Sequence, residues 1–293
     1  MRTEALAVFA VISCIFACGC ANIRHPGNDA VSSTVRFSSM KLAYDESPPE
    51  PDPKDSAGDQ TTVLRIAERA VAAERSMNTY QVQIRRRESV SGAARPLELA
   101  LLKYRRAPLS IYVKWLGVAA HGREIIYVKG QNDGKVLFRT GHGDLLGPGI
   151  RLAFAPESTI VRAQFPHNID NTGFATLATR LAELAGPIHW GPTRSDSVHY
   201  LGRVRRPEFG VELECVEHRF PAAADMLAPR GGIRQFFVEP GSGLPVIVQT
   251  FDSNMQELEY YCFDRLQAPV PFDESDFDAD AIWPKRKTGG RLP

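Results

Sequence analysis

The chain has almost no excess charge of either sign. Its 35 Lys and Arg stand against 34 Asp and Glu, a net charge of +1. No strong field gathers a polyanion, so no nucleic-acid partner is expected. A hydrophobic run of membrane-spanning length is also missing. The apolar stretch at residues 5–15, interrupted by Ser13, is short of the roughly 20 residues that cross a bilayer. The seven histidines, at 25, 121, 142, 167, 189, 199 and 218, are scattered, and none forms His-x-x-x-His or a zinc-spaced Cys/His set. There is no P-loop, no Rossmann fingerprint and no Gly-x-Ser-x-Gly elbow, and the "GSG" at 241–243 reads as a hairpin tip. These absences leave no metal, no cofactor and no catalytic residue to expect. Cysteine is scarce too, yet three of the five (Cys14, Cys18 and Cys20) fall within the first twenty residues.

That crowding at the N-terminus has a physical reading. Arg2 gives a positive start, weakened by Glu4, and the apolar run then ends in the small residues Ala17 and Gly19 beside cysteine. This is the layout of an export signal that ends in a bacterial lipobox, where cleavage precedes a cysteine that carries diacylglycerol. Two frames fit. Ile15-Phe16-Ala17-Cys18 has the better residue three before the cysteine. Ala17-Cys18-Gly19-Cys20 has fewer bulky groups at the scissile bond. Cys20 is preferred, with Cys18 as the alternative; an ordinary cleaved signal and an uncleaved anchor are the competing readings. Acyl chains would embed this end at about 0.8 kcal/mol per buried CH₂. The membrane is then a partner through the N-terminal lipid. The expected location is the cell envelope, facing the periplasm. Asn22, two residues after Cys20, favours the outer membrane over the inner.

Four segments follow from composition. Residues 1–19 are the signal peptide. Residues 20–60, which include the Pro- and Asp-rich "DESPPEPDPKDSAGDQ", are a disordered tether. Residues 61–283 form a single domain, and the basic "KRKTGGR" lies in a disordered tail at 284–293. Within the domain, Val63, Ile66, Ala67, Ala70 and Val71 share one helical face. Alternation then sets in with Tyr80, Val82 and Ile84, and predicts strands near 97–104, 110–116, 123–129 and 135–140. A second helix is predicted over 172–185, with Phe174, Leu177, Ala178, Leu181 and Leu184 as its apolar stripe and Gly186-Pro187 as its stop. Strands near 197–205, 209–219, 233–239, 245–251 and 257–266 close the chain. The fold class is α+β and β-dominant: a long antiparallel meander with two main helices.

One stretch is more specific, "RRAPLSIYVKWLGVAAHGREIIYVKGQNDGKVLFRTG" at 105–141. Its R-x-P-x-S-x-Y-x-K strand, G-R-E-I-x-Y strand and G-x-N-D-G-K turn resemble the uncharacterised bacterial family known as domain of unknown function 1571. The resemblance extends over about 62–282 and implies no activity and no catalytic residue. The element order is also similar to that of the periplasmic lipoprotein carriers. That likeness implies a curved antiparallel sheet forming a half-open barrel, an apolar lining and one helix against the concave face.

The candidate site residues follow. Asn132, Asp133 and Gly134 are the residue types that tolerate positive φ in a structural turn. Arg123 and Glu124 point to opposite faces of their strand and so do not pair with each other. "HGD" at 142–144 reads as a turn. "FDESDFDAD" at 272–280 clusters five carboxylates without the order of a calcium loop, and reads as a solvated acidic segment. Cys215 and Cys262 lie on strands that are first and fourth in a meander, so a disulfide between them is a possibility that needs strong curvature. Trp115, Phe138, Phe174, Leu177, Leu181, Phe237, Phe251 and Tyr260 are the candidates to line a ligand cavity, and Phe236 is a further strand aromatic. Three functions stay open: a binder of an apolar ligand or lipidated client, an interaction lipoprotein with a filled core, and an unrecognised hydrolase. An alkyne fatty acid fed to the producing cells should label the protein, and Cys18→Ser combined with Cys20→Ser should remove the label and release the protein from membranes. An unlabelled wild type would rule out lipidation.

Overall fold

The computed structural model describes residues 56–90, 93–165, 168–186, 196–225 and 227–283. The signal peptide, Cys18 and Cys20, most of the tether, His167, His189 and the basic tail lie outside the described residues. Helix α1 runs Ser56–Ser76, so it opens before Thr61, inside the segment assigned to the tether. It buries Val63, Ile66, Ala67 and Ala70. Strand β1 (Thr79–Val90) follows, with a two-residue strand β2 (Ala93–Ala94) folded back on it. Four strands then meander outward: β3 (Glu98–Arg105), β4 (Ser110–Trp115), β5 (Glu124–Val128) and β6 (Val136–Arg139). The turn between β5 and β6 places Asn132, Asp133 and Gly134 all at positive φ.

Strand β7 (Arg151–Phe154) and the single-turn helix α2 (Thr159–Arg162) were not legible as elements in the sequence. Both are only four residues long, too short for periodicity to register. Helix α3 is Phe174–Leu184, and β8 (Ser197–Arg205), β9 (Glu212–Phe220), β10 (Gly232–Val238), β11 (Pro245–Asp252) and β12 (Glu257–Gln267) complete the sheet. Every pairing is antiparallel. The order is β7-β6-β5-β4-β3-β1-β12-β11-β10-β9-β8, so the first and last long strands meet in the middle. The sheet does not close: β7 and β8 are its two edges. Register shifts in the β1–β12, β8–β9, β10–β11 and β11–β12 pairs add local bend and twist, which curves the sheet into a half-open barrel.

Helix α3 lies on the concave face. Its entry is set by Gly173, whose φ of 83° and lack of a side chain leave room for the Tyr80 hydroxyl, which would clash with a Cβ at this position. That hydroxyl accepts the N–H of Phe174 at 3.3 Å. Phe174 then packs between Tyr80 and Phe263, its ring tilted to both, at centroid distances of 5.4 and 5.1 Å. Helix α1 packs outside α3 and against β8.

The acidic segment keeps Asp273, Glu274, Asp278 and Asp280 exposed, as a solvated run does, but it is also ordered and anchored. Residues Glu274–Phe277 make a 3₁₀ turn with a capping box between Asp273 and Asp276, and α4 (Ala279–Ile282) follows. Phe277 and Trp283 bury themselves against Tyr112, Ile126 and Val128 on the convex face. The carboxylates seat the segment: Asp276 meets Lys103 at 2.6 Å, Glu274 meets Arg105 at 2.8 Å and Asp280 meets Arg151 at 2.8 Å. The Trp283 indole donates to the buried Glu124 at 2.8 Å, and the Tyr112 hydroxyl donates to the same oxygen at 2.7 Å. The acidic composition masked two aromatic anchors. Trp283→Ala should cost about 3 kcal/mol or more, the usual range for emptying a buried aromatic site. A chemical denaturation midpoint equal to that of the wild type would show that the segment is not anchored this way.

Candidate functional site

A cavity of about 100 Å³ lies between α3 and the concave face. Its apolar wall comes from Ile84, Val113, Trp115, Leu177, Val248 and Phe263. These belong to β1, β4, α3, β11 and β12, whose side chains alternate in and out of the sheet. Gln164, Phe165 and Asn168, from the segment that leads into α3, close one side. Arg86, Arg180, Glu259 and Tyr261 form the polar wall.

The polar wall is neutralised from within. Arg86 donates to Glu98 at 2.7 Å, to the Gln164 carbonyl at 2.9 Å and to the Gln164 side chain at 3.0 Å. Its guanidinium lies 5.2 Å from the centre of the Trp115 ring, and that of Arg123 lies 5.4 Å from it. The Trp115 indole donates to the same Glu98 oxygen at 3.0 Å. Burial pushes the Glu98 carboxyl up, but Arg86, the indole and Arg123 together outweigh it and hold it below the usual carboxylate range. Glu259 accepts from Thr250 at 3.1 Å, and is 3.6 Å from Arg234 and 3.9 Å from Arg180. Burial and the nearby Arg234 lower the pKa of Arg180. The Tyr261 hydroxyl donates to Glu88, and burial, then that carboxylate, keep it protonated. Arg123 pairs with Asp144, so the "HGD" loop supplies a buried counter-charge as well as a turn.

Of the sequence candidates, Trp115 and Leu177 line the cavity. Phe174 and Leu181 are buried on the same helix. Phe138 is buried toward the β7 edge, edge-on to Phe154 at 5.3 Å. Phe237, Phe251 and Tyr260 sit one residue out of phase with the inward positions Phe236, Thr250 and Tyr261, so alternation puts them on the convex face. Tyr260 donates there to Glu208 at 2.7 Å, and Phe237 carries the Arg206 guanidinium at 4.7 Å. Ile84, Arg86, Val113, Val248, Glu259 and Phe263 were not singled out in the sequence. Strand parity counted from Trp115 and Ile84 was the available signal.

Cys215 and Cys262 are both free and buried. They occupy one cross-strand row, Cys215–Phe237–Ile247–Cys262. Three strand spacings of about 4.8 Å separate them, well past disulfide reach. Burial raises the thiol of Cys215 to about 12 and that of Cys262 to about 11, so neither is a thiolate at neutral pH.

Hydrolase chemistry finds one loose arrangement. Ser197 Oγ is 3.1 Å from His199 Nε2, and His199 Nδ1 is 3.7 Å from Asp59 Oδ2. The second distance exceeds a hydrogen bond, and the group lies on edge strand β8, away from the cavity. Among the described residues no cluster of three or more His, Cys, Asp or Glu side chains is placed to hold a metal ion, and no helix is long and apolar enough to cross a membrane. The site is therefore an amphipathic slot: an apolar floor against a self-compensated polar wall.

A family model described as "Protein of unknown function (DUF1571)" matches residues 77–282. No curated protein matches the chain. Solved structures similar to it include MucB, at 15% identity over 75% of this chain and 63% of that one, with a TM-score of 0.43. The Mycobacterium tuberculosis lipoprotein LppX is similar at 12% identity over 73% of this chain and 99% of that one, with a TM-score of 0.40. A LolA superfamily protein from Nitrosomonas europaea is similar at 9% identity over 76% and 98%, with a TM-score of 0.35. This chain thus spans under two thirds of the length of MucB. Similarity at this level transfers no ligand or partner.

The Glu98 network makes a prediction with a definite sign. A carboxyl whose pKa is depressed in the folded state stabilises the fold above its unfolded pKa, about 4.3 for Glu. That contribution is lost as pH falls through the lower folded value. Glu98→Gln should therefore lower stability at neutral pH and flatten its decline in acid. Denaturation midpoints measured across the acid range check this, and an unchanged slope would remove Glu98 from the account.

Proposed function

The chain belongs to the DUF1571 family, whose description carries no activity, and from its geometry we propose that it is a lipid-anchored cell-envelope protein that binds an apolar ligand or lipidated client on its concave face. The observation that carries this reading is the apolar slot between α3 and the sheet, floored by Val113, Trp115 and Phe263 and edged by paired charges. Small-ligand sites have this composition, an apolar lining with few polar groups that set orientation. The lipid anchor, from Cys20 or Cys18, would hold the domain at the membrane that supplies the ligand, and no reaction is part of the reading.

Size sets what the slot accepts as it stands. A dry cavity of roughly 150 Å³ takes up benzene. At about 100 Å³, this slot suits the end of an acyl chain or one apolar side chain of a client. A whole chain requires α3 to move outward, away from Tyr80 and Phe263. The competing reading, an interaction protein with a filled core, draws on the full burial of Phe174, Leu181 and Phe138.

A fluorescent fatty acid separates the two. The purified wild type should bind it, and Ala100→Leu, which adds bulk at the cavity wall, should weaken binding severalfold with the circular dichroism unchanged. Leu177→Asp places a charge against the apolar floor, costly without a partner, and should weaken binding further or unfold the domain. A well-folded wild type that binds no probe, and that carries no lipid in native mass spectrometry after isolation from its own membrane, would leave the filled-core reading.

A further inference from the structure

Strand directions divide the loops into two sets. At the end where β4 finishes and β12 begins lie the loops 93–97, 116–123, 140–150, 221–231 and 253–256. The other end holds 106–109, 129–135, 206–211 and 239–244. Ten large apolar side chains are exposed among the described residues. Seven of them belong to the first set: Leu97, Val118, Leu145, Leu146, Ile150, Leu227 and Met255. Only Val211 belongs to the second. Scattered apolar residues are ordinary on a surface, but segregation to one end marks a contact surface. Val118 is 98% exposed at a loop tip, so nothing in the fold accounts for its apolar character.

The charges at this end are arranged to match. The first set of loops contains two described carboxylates, Asp144 and Asp225. Each sits in an ion pair with a buried arginine, Arg123 and Arg234 respectively. Asp196, just before β8 at the same end, meets His218 at 2.6 Å. Asp252, at the end of β11, turns its carboxylate to the backbone N–H groups of Asn254 and Gln256, at 2.8 and 2.9 Å. Arg95 and Arg230 remain to give this end its sign. Two of the apolar loops, 116–123 and 140–150, are held together: the His142 N–H donates to the His121 carbonyl at 2.9 Å, over the Arg123–Asp144 pair. This end also adjoins the slot, because Trp115 is the last residue of β4 and Glu259 the third of β12.

We propose that this end of the half-barrel docks on an anionic lipid bilayer, with Val118 and the Leu145–Leu146 tip entering the headgroup region. Apolar tips at an end whose remaining cations, Arg95 and Arg230, lie on neighbouring loops and whose carboxylates are paired fit such a surface, since anionic lipid attracts the cations and the acyl boundary takes the side chains. The contact presents the slot to the membrane from which an apolar ligand would come.

The test uses the full chain with Cys18→Ser and Cys20→Ser, so that no N-terminal lipid holds it at the vesicle, labelled with an environment-sensitive dye at Val118→Cys or, at the other end, at Asp133→Cys. The same Cys18→Ser, Cys20→Ser chain without either added cysteine, put through the labelling, serves as the blank. Vesicles of equal parts phosphatidylcholine and phosphatidylglycerol should shift the dye at 118 to shorter wavelength and brighten it, and leave the dye at 133 unchanged. Adding Leu145→Asp and Leu146→Asp should raise the lipid concentration needed by about tenfold or more, as expected for losing Leu-sized burial. Fatty-acid probe binding in solution should stay at the wild-type level in that variant, which keeps this surface distinct from the slot. No shift at 118, an equal shift at both positions, or a shift given only by a soluble protein and not by vesicles would overturn the proposal.

Discussion

One short helix has to cover the inner face of a very wide sheet, and the architecture follows from that mismatch. Helix α3 has 11 residues, about 16 Å of length at 1.5 Å per residue. The sheet has eleven strands in series, an arc of about 50 Å at roughly 4.8 Å per spacing. Curvature brings both flanks toward the helix, and helix α1 fills in from the β8 side. Side chains close the β7 side, where Phe138 meets Phe154. The slot beside Leu177 is the space that none of these reaches. It sits where β1 and β12 meet, which is also where the N- and C-terminal halves of the domain join.

Arginine and aromatic side chains solve the remaining problem, polar groups inside a wide half-barrel. Trp115 illustrates the device. It lies between cation and anion: Arg86 and Arg123 over its ring, and Glu98 on its indole N–H. Arg86 in turn holds Gln164 by backbone and side chain, which pins the segment that closes the slot. On the convex face, Glu124 gathers Tyr112, Trp283 and Arg139 in the same way. Buried carboxylates of this kind are costly alone and become organising points when every acceptor is used. At the loops beside the slot the exposed charge that remains is sparse, Arg95 and Arg230.

Much of the fold was legible because its long elements carry clean periodicity. Tyr80, Val82 and Ile84 alternate with Gln81, Gln83 and Arg85, and α3 shows a full apolar stripe. The candidate site was less legible. Trp115 and Leu177 stood out by type and place. Phe237, Phe251 and Tyr260 did not reach the slot because a one-residue change of phase sends a side chain to the other face, and this large sheet buries apolar residues on both. The segment ending in Trp283 was legible only in part: most of its five carboxylates do face solvent, while its anchoring depends on Phe277, Trp283 and on Lys103, Arg105 and Arg151, far away in sequence.

The sequence by itself determined the family, the β-dominant class and the helix that must find an apolar face. Each of these is a local pattern, readable within one segment. Only the tertiary structure decided that β1 pairs with β12, that Arg86 and Glu98 meet beneath Trp115, and that seven exposed apolar side chains gather at one end. These depend on strand order and direction. In an antiparallel sheet those come from pairings between residues as far apart as Arg85 and Cys262, which no local pattern encodes.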